Sequence, residues 1–434
     1  MLRKVRKEKG LRLKDLEDYH ISSGSISNLE RGEVKTRDGT FEYLLKKLGL
    51  TQESLKKRVE KEKEEIEELQ FTFECVKTLL EQELKDEVSK QLDSIQLENF
   101  HPLITYYCYL KGLFYRRSKN WKMARKYFHR GLDMCKQHKL EPSDNILAVS
   151  YNQLSIYSFN QNNFTEAIEY ANKGLKIYDA SLALADIKFS LISNKILYLI
   201  KLSQYDLATQ LLNEVWDSID KIERTSVALS LYKYRAIILR RRRMFSEAIA
   251  VCKAGIRLAG KNEIQYRHLD LINVMGSIFL EQEKWDKAEK RFQMVLLMDQ
   301  KLDFPRRQVD AHIYLGVLYS KQKEWGKANE QTNTAIKISR EIPDDFRSAR
   351  ALIVLGDILF KQMKWEKALS CYQEAVDLTR KHRFKDRQLT ALSRSARCFD
   401  ILDKHEELVT CMKQILEIQN DLKITIEDEI YDIF

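Results

Sequence analysis

At 434 residues, 44% hydrophobic and 32% charged, the chain is neither disordered nor fibrous in composition, and 14 Gly with only 4 Pro leave room for long helices. Its 74 Lys and Arg exceed 64 Asp and Glu, for a formal net charge of +10 and a pI near 9.0, a balance that favours an acidic partner. The most apolar stretch, Ile187 to Leu202, is interrupted by Lys188, Ser190, Ser193, Asn194, Lys195 and Lys201, too polar for a span of about 18 apolar residues, so no membrane association is expected. The sequence opens without a basic-then-apolar leader, and its seven cysteines include no Cys-x-x-Cys pair. They read as reduced, buried thiols of a cytoplasmic protein.

The first fifty residues predict short helices. Leu2 and Val5 give the first its apolar face and Gly10 ends it; Leu13, Leu16 and Tyr19 stripe the second. Ser22 is placed to cap a third helix whose inward face is Ile26 and Leu29 and which Gly32 closes. A fourth, about Phe41 to Leu48, ends at Gly49, and between Leu2 and Leu48 twelve Lys and Arg stand against eight Asp and Glu. The order Ile26-Ser27-Asn28-Leu29-Glu30-Arg31-Gly32 resembles the helix-turn-helix of the phage-repressor-like (Xre-type) family over residues 1–50. That resemblance implies a DNA-binding domain whose third helix enters the major groove, with Ser23, Gly24, Ser27, Asn28 and Arg31 facing DNA. Asn28 has the amide geometry for a bidentate contact to adenine, while Arg31, Lys35 and Arg37 suit phosphates. The chain departs from the family at Arg12-Leu13, where a Ser-Gln pair is usual, at Glu17, where a small alanine is usual, and at His20, in place of the turn glycine.

Residues 51–70 are dense in Lys and Glu and read as a charged helical linker. From Phe71 an apolar rhythm (Phe73, Val76, Leu80, Leu84, Val88, Leu92) predicts an irregular first hairpin. Then an aromatic residue followed three places later by alanine recurs at Trp121/Ala124, Phe164/Ala167, Tyr205/Ala208, Phe245/Ala248, Trp285/Ala288, Trp325/Ala328 and Trp365/Ala368, the last five pairs evenly spaced. Such a beat, of roughly 40 residues, means a solenoid. Glycine stands twelve places before the alanine in four of these units, at Gly112, Gly276, Gly316 and Gly356. The order Leu355-Gly356, Leu359, Trp365, Ala368, Tyr372, Ala375 resembles a tetratricopeptide repeat, a helical hairpin that nests through small residues. That repeat is usually about 34 residues long, so each unit has extra length to place in its helices or loops. Pro142, Pro305 and Pro343 fall between units, and Leu402 to Leu416 with the acidic tail from Ile424 reads as a terminal cap or an oligomer contact. The expected fold is all-α: an N-terminal helix-turn-helix domain over 1–50, a linker over 51–70, and a right-handed superhelix of tetratricopeptide-like hairpins over 71–434 that binds peptide and dimerises.

In that register the first helix of each hairpin lines the concave wall. The inward slots hold Tyr109 and Arg116, then Asn152, Asn194 and Lys201, then Lys233, Asn273 and Ser277. Amides at recurrent positions can donate to and accept from an extended peptide backbone. A single asparagine also suits a solvated helix face, and Arg240 to Arg243 read equally as a groove element or a solvated run. There is no His-Glu-x-x-His, no glycine-rich phosphate loop and no Gly-x-Ser-x-Gly, so no catalytic centre, metal or cofactor is expected. His268 and His312 read as surface or core residues.

A helix-turn-helix joined to seven or more of these long hairpins resembles the peptide-pheromone regulators of Gram-positive bacteria, the Rap, NprR, PlcR, PrgX and Rgg class, and most of all its NprR branch. The resemblance implies a homodimeric quorum-sensing transcription regulator whose groove binds a short signalling peptide that controls DNA binding. Alternatives within reach of the sequence are a Rap-like protein acting on a phosphorelay response regulator and a generic scaffold that takes acidic peptides through Arg116, Lys201 and Lys233.

Overall fold

A computed structural model describes residues 1–32, 39–161, 163–342, 344–382 and 384–421, and among them the regular elements are helical, with one isolated bridge between Asp144 and Ala183. The chain divides into two compact units, Met1–Pro142 and Ser143–Phe434. No helix among the described residues is long and apolar enough to cross a membrane.

The first unit begins with α1 (Leu2–Glu8), α2 (Leu13–Leu16), α3 (Ser23–Glu30) and α4 (Thr40–Lys47). They enclose Leu2, Val5, Leu16, Ile21, Ile26, Leu44, Leu45 and Leu48. The Ser22 hydroxyl accepts from the Ser25 N–H at 3.2 Å and so caps α3. Gly10, Gly32 and Gly49 take φ of 68°, 75° and 65° where their helices end, the left-handed turn that glycine allows without strain. A buried pair locks α1 to α3: the Arg6 guanidinium meets the Glu30 carboxylate at 2.5 and 3.0 Å and donates a third bond to the Leu11 carbonyl at 2.8 Å. The second helix is shorter than its apolar stripe predicts. It stops at Leu16 because the Asp18 carboxylate accepts from the N–H groups of His20 (2.8 Å) and Ile21 (3.1 Å), an Asx-type turn standing where a glycine was expected. Tyr19 is therefore 99% exposed and is no part of the core. Asp18 is fixed in turn by the Tyr43 hydroxyl (2.6 Å) and the Lys47 ammonium (2.5 Å) of α4.

The linker and the first helix of the irregular hairpin are one element. With no Gly or Pro to stop it, α5 (Gln52–Glu81) runs 30 residues from a Thr51 cap, and only its second half buries Phe73, Val76 and Leu80. Residue 70 is thus a change of burial along a continuous helix, not an interruption. Met1, Lys4 and Glu8 of the opening bundle pair with Glu62, Glu65 and Arg58 along the charged half. After α6 (Lys85–Ser94) come α7 (Ile104–Arg117) and α8 (Trp121–His138), the first full hairpin.

The second unit continues the hairpins with α9 (Ile146–Asn160), α10 (Phe164–Ile177), α11 (Ile187–Lys201), α12 (Tyr205–Trp216), a short 3-10 turn (Ile219–Lys221), α13 (Thr225–Arg241), α14 (Phe245–Lys261), α15 (Gln265–Glu281), α16 (Trp285–Asp299), α17 (Pro305–Lys321), α18 (Trp325–Glu341), α19 (Asp345–Lys361), α20 (Trp365–Lys381), α21 (Lys385–Ile401) and α22 (His405–Asp421). The helices from α17 onward are all of one length, five full turns less a residue, so the length beyond the usual repeat sits in the helices. The repeated aromatic is the first residue of each second helix. Two residues before the second helix of a hairpin begins, the backbone turns left-handed at Ser203, Arg243, Glu283, Lys323, Met363 and Asp403, with φ between 54° and 62°. The next N–H then reaches the carbonyl five residues back, as from Lys284 to Phe279 at 2.9 Å. None of these six is glycine, so the turn carries no composition signal. Pro305 occupies the first turn of α17, where its missing N–H costs nothing; Pro343 and the tail from Ile424 lie outside the described residues. The cysteines are free thiols, five of them buried, with Cys75 exposed and Cys371 partly buried.

The glycines mark where ring and backbone touch. A Cβ added at Gly112, Gly276 or Gly356 would fall against the ring of Phe128, Phe292 or Tyr372, each sixteen residues further on. Gly276→Ala is expected to cost about 1–3 kcal/mol by overpacking. Phe292→Leu in the same chain should recover part of that loss, so that a double-mutant cycle by chemical denaturation reads a coupling of about 0.5–3 kcal/mol.

Candidate functional site

In the second unit the first helices of successive hairpins, α9, α11, α13, α15, α17, α19 and α21, pack one against the next and form a continuous inner wall. Of the residues expected there, Asn152 and Asn194 meet directly, the Asn194 amide donating to the Asn152 amide oxygen at 2.9 Å. The Asn273 amide donates to the Arg307 carbonyl at 3.1 Å, while its buried oxygen has no partner in the structure. Ser277 is buried, donates to the Val274 carbonyl at 2.7 Å and receives the Arg240 guanidinium. Lys233 is not a free basic slot, since its ammonium lies 3.2 Å from the Asp270 carboxylate. Tyr109 and Arg116 stand on α7 in the first unit, where Tyr109 packs with the rings of Tyr106 and Phe128 and burial lowers the pKa of Arg116. On α3, Gly24 and the adjoining Arg31 are exposed, Ser23, Ser27 and Asn28 partly so, and the Arg31 guanidinium donates to the Asn28 amide oxygen. Lys35 and Arg37 lie outside the described residues.

The inner wall carries a feature that motif reading missed, although it keeps the same beat. Arg267, Arg307, Arg347 and Arg387 recur once per repeat at the start of α15, α17, α19 and α21, and Asp270 and Asp310 share a second register. Asp270 of α15 is gripped by Arg307 of α17 (2.9 Å), Arg267 of its own helix (3.1 Å) and Lys233 of α13 (3.2 Å). One unit on, Asp310 receives Arg347 (2.9 Å) and Arg350 (3.3 Å), and Asp344 receives Arg347 (2.7 Å) and Arg306 (3.2 Å). Burial alone would raise the Asp270 carboxyl, but Lys233, Arg307 and Arg267 hold it well below the usual carboxylate range. Removing one partner from such a network typically costs about 3–5 kcal/mol, because the rest is left buried and unmatched.

At the next step the ladder breaks. Register demands an acid at position 350, but the residue is Arg350, which reaches back to Asp310. Arg387 is left against the ring and backbone carbonyl of Phe346, its carbon 3.4 Å from the ring centre, with Lys201 of α11 over the same ring at 3.7 Å. Burial, aided by Arg350 and Arg347, pulls Arg387 down to about 9, and burial with Arg347 and Arg387 holds Lys201 well below its ordinary value. Phe346 belongs also to a closure of the wall. The ring of Phe164, first residue of α10, stacks on Phe384 with centroids 5.9 Å apart and meets Phe346 edge-on at 6.1 Å. Beside this contact lies a cavity of about 1080 Å³, lined among others by Glu166, Glu169, Lys201, Phe346, Asp386 and Arg387.

A tetratricopeptide repeat family model matches residues 103–180. No curated protein matches the sequence. Among solved structures, a Rap protein complexed with competence and sporulation factor superposes with a TM-score of 0.61 at 16% identity, over 82% of this chain and 99% of that one. The apo form of the quorum sensor NprR from B. thuringiensis gives 0.57 at 14%, over 86% and 99%. The apo form of RapI gives 0.54 at 13%, over 64% and 98%. At these identities the likeness is one of fold: an all-helical superhelix of tetratricopeptide-like hairpins.

A pH experiment reads the wall's charge. Burial would push the Tyr314 hydroxyl up, yet Arg350 and Arg240 bring it down to about 8, with Arg240 Nη1 donating to it at 3.4 Å. A phenol whose folded pKa is depressed favours the folded state above its ordinary pKa of 10.0 and loses that contribution as pH falls through about 8. Near-ultraviolet titration of the folded protein should show one of its 20 tyrosines ionising near pH 8. In Tyr314→Phe that early step should vanish; its persistence would place the ionisation elsewhere.

Proposed function

We propose that the chain is a transcription regulator, not an enzyme, in which the inner wall of the second unit binds a short signalling peptide and the opening bundle of the first binds DNA as part of a homodimer. The observation that carries this reading is the wall itself. At one end of it, Lys201 of α11, Phe346 of α19 and Arg387 of α21 line, with residues of α10, a cavity large enough for several residues of extended peptide. The paired amides of Asn152 and Asn194 retain donor and acceptor capacity for a peptide backbone. The likeness of fold to a Rap protein complexed with competence and sporulation factor, and to the quorum sensor NprR, supports the same direction.

For the DNA-binding half, support comes from α3. It is short, capped by Ser22, anchored from behind by Arg6–Glu30, and presents Gly24, Asn28 and Arg31 outward. A pair of such helices in a homodimer would read two half-sites. Gel-shift titration with fragments upstream of its own reading frame should give a sequence-dependent complex whose affinity falls with salt. Asn28→Ala is expected to weaken specific binding by about 1–3 kcal/mol, roughly 5- to 150-fold, and Arg31→Ala to weaken binding across sequences and flatten the salt slope. Absence of any salt-sensitive shift, together with capture of a phosphorelay response regulator by the same protein, would replace this reading with the Rap-like one.

A further inference from the structure

We propose that Lys201 is a nucleophilic amine through which the cavity beside Phe346 takes up a small aldehyde covalently, as an imine. The assignment goes beyond peptide binding and does not depend on it, because the carbonyls of a peptide are amides and do not condense with an amine.

The surroundings of the Lys201 nitrogen motivate the assignment. Lys201 is the last residue of α11 and lines the cavity of about 1080 Å³. Its Nζ stands 3.7 Å from the centre of the Phe346 ring, and the Arg387 carbon stands 3.4 Å from the same centre. Two groups cannot share one face at those heights, so the ring lies between them and offers Nζ no acceptor oxygen on that side. Among the described residues this nitrogen makes neither an ion pair nor a hydrogen bond. An ammonium drawn out of water without a partner is costly, and a lysine escapes that cost by giving up its proton. Burial is the largest influence on the group; Arg347 and Arg387 add to it, the carboxylates of Asp310 and Asp344 oppose it, and the amine is held well below its ordinary pKa. The rest of the lining carries both signs, Glu166, Glu169 and Asp386 against Lys381, His382 and Lys385. Lys233 supplies the contrast on the same wall: its ammonium keeps the Asp270 carboxylate at 3.2 Å and with it a reason to stay charged. A lysine desolvated beside other cations is an activated nucleophile, and here it borders a space that a small molecule can enter. In the reaction the Nζ lone pair attacks the carbonyl carbon and a proton passes from nitrogen to oxygen. The second N–H proton and the hydroxyl then leave as water while the C=N bond forms. No oxidant or reductant is consumed.

The test uses the full-length protein with acetaldehyde as the probe. Imines formed at pH 7 and at pH 9 are trapped by cyanoborohydride, and the rate of N-ethylation at each lysine is read by peptide mass spectrometry. An ordinary lysine is uncharged in less than about 0.1% of molecules at pH 7, a fraction that rises about a hundredfold by pH 9. Lys57 and Lys61, well exposed on α5, serve as that reference. At pH 7 Lys201 should be labelled at least about tenfold faster than Lys57, Lys61 or Lys233, and its advantage over Lys57 should shrink at least about tenfold by pH 9. In urea the advantage should disappear, since the folded surroundings create it. In Lys201→Met the fast label should be lost without passing to Lys381 or Lys385; the wild-type rates decide the matter even where this variant folds poorly. Labelling of Lys201 no faster than Lys57 at pH 7 would overturn the proposal. So would an advantage that is the same at both pH values, which would reflect access alone, or one that survives in urea.

Discussion

Three cations from three successive helices of the inner wall close on one carboxylate, Asp270, and that grip sets the terms for the wall as a whole. Because each unit is a copy of its neighbour displaced by one repeat, a pair that works once is offered again one hairpin later. Arg347 and Asp310 repeat what Arg307 and Asp270 do. The consequence is directional. Arg307 and Arg347 each lean on the acid of the preceding unit, while Arg267, with Ser230 in that register, turns to Asp270 of its own helix; where neither acid is present a cation is left over. Position 350 is that step, and the stranded Arg387 lies beside the cavity and the Phe164–Phe346–Phe384 contact that closes the wall on itself.

The opening bundle is held differently. Its core is a small apolar cluster, and its specificity comes from two polar locks, Arg6–Glu30 between α1 and α3 and Asp18 with Tyr43 and Lys47 between the turn and α4. The exposed pairs from Met1, Lys4 and Glu8 to α5 are individually weak. Orientation of α3 therefore depends on the buried lock, while attachment to the long helix is a sum of small, salt-sensitive contributions.

The hairpins were legible from the sequence because aromatic, alanine and glycine recur on a beat that a helix pair imposes, and helix ends in the opening bundle because Ser22, Gly10, Gly32 and Gly49 carry direct backbone consequences. What stayed hidden was of two kinds. The left-handed turns at Arg243, Glu283, Lys323 and Met363 are made by residues without a turn signature, held there by the packing of the hairpin. The early stop of α2 came from a side chain, Asp18, replacing a glycine. In the site, Asn152 and Asn194 were placed on the wall and do meet, whereas Lys233, Asn273 and Ser277 are partly engaged by the wall itself. Partners on neighbouring hairpins cannot be seen in a local motif, but the ladder that binds them was present in the spacing: four arginines at equal intervals, two aspartates in step, and an arginine where the third should stand.

That break can be repaired by one substitution. Arg350→Asp restores the register, gives Arg387 its carboxylate and leaves Asp310 to Arg347. Thermal melting of this variant beside wild type is the most direct measurement: a Tm equal to or above that of wild type is the predicted result. A Tm several degrees lower would contradict the account of the inner wall as an ion-pair ladder with one step missing.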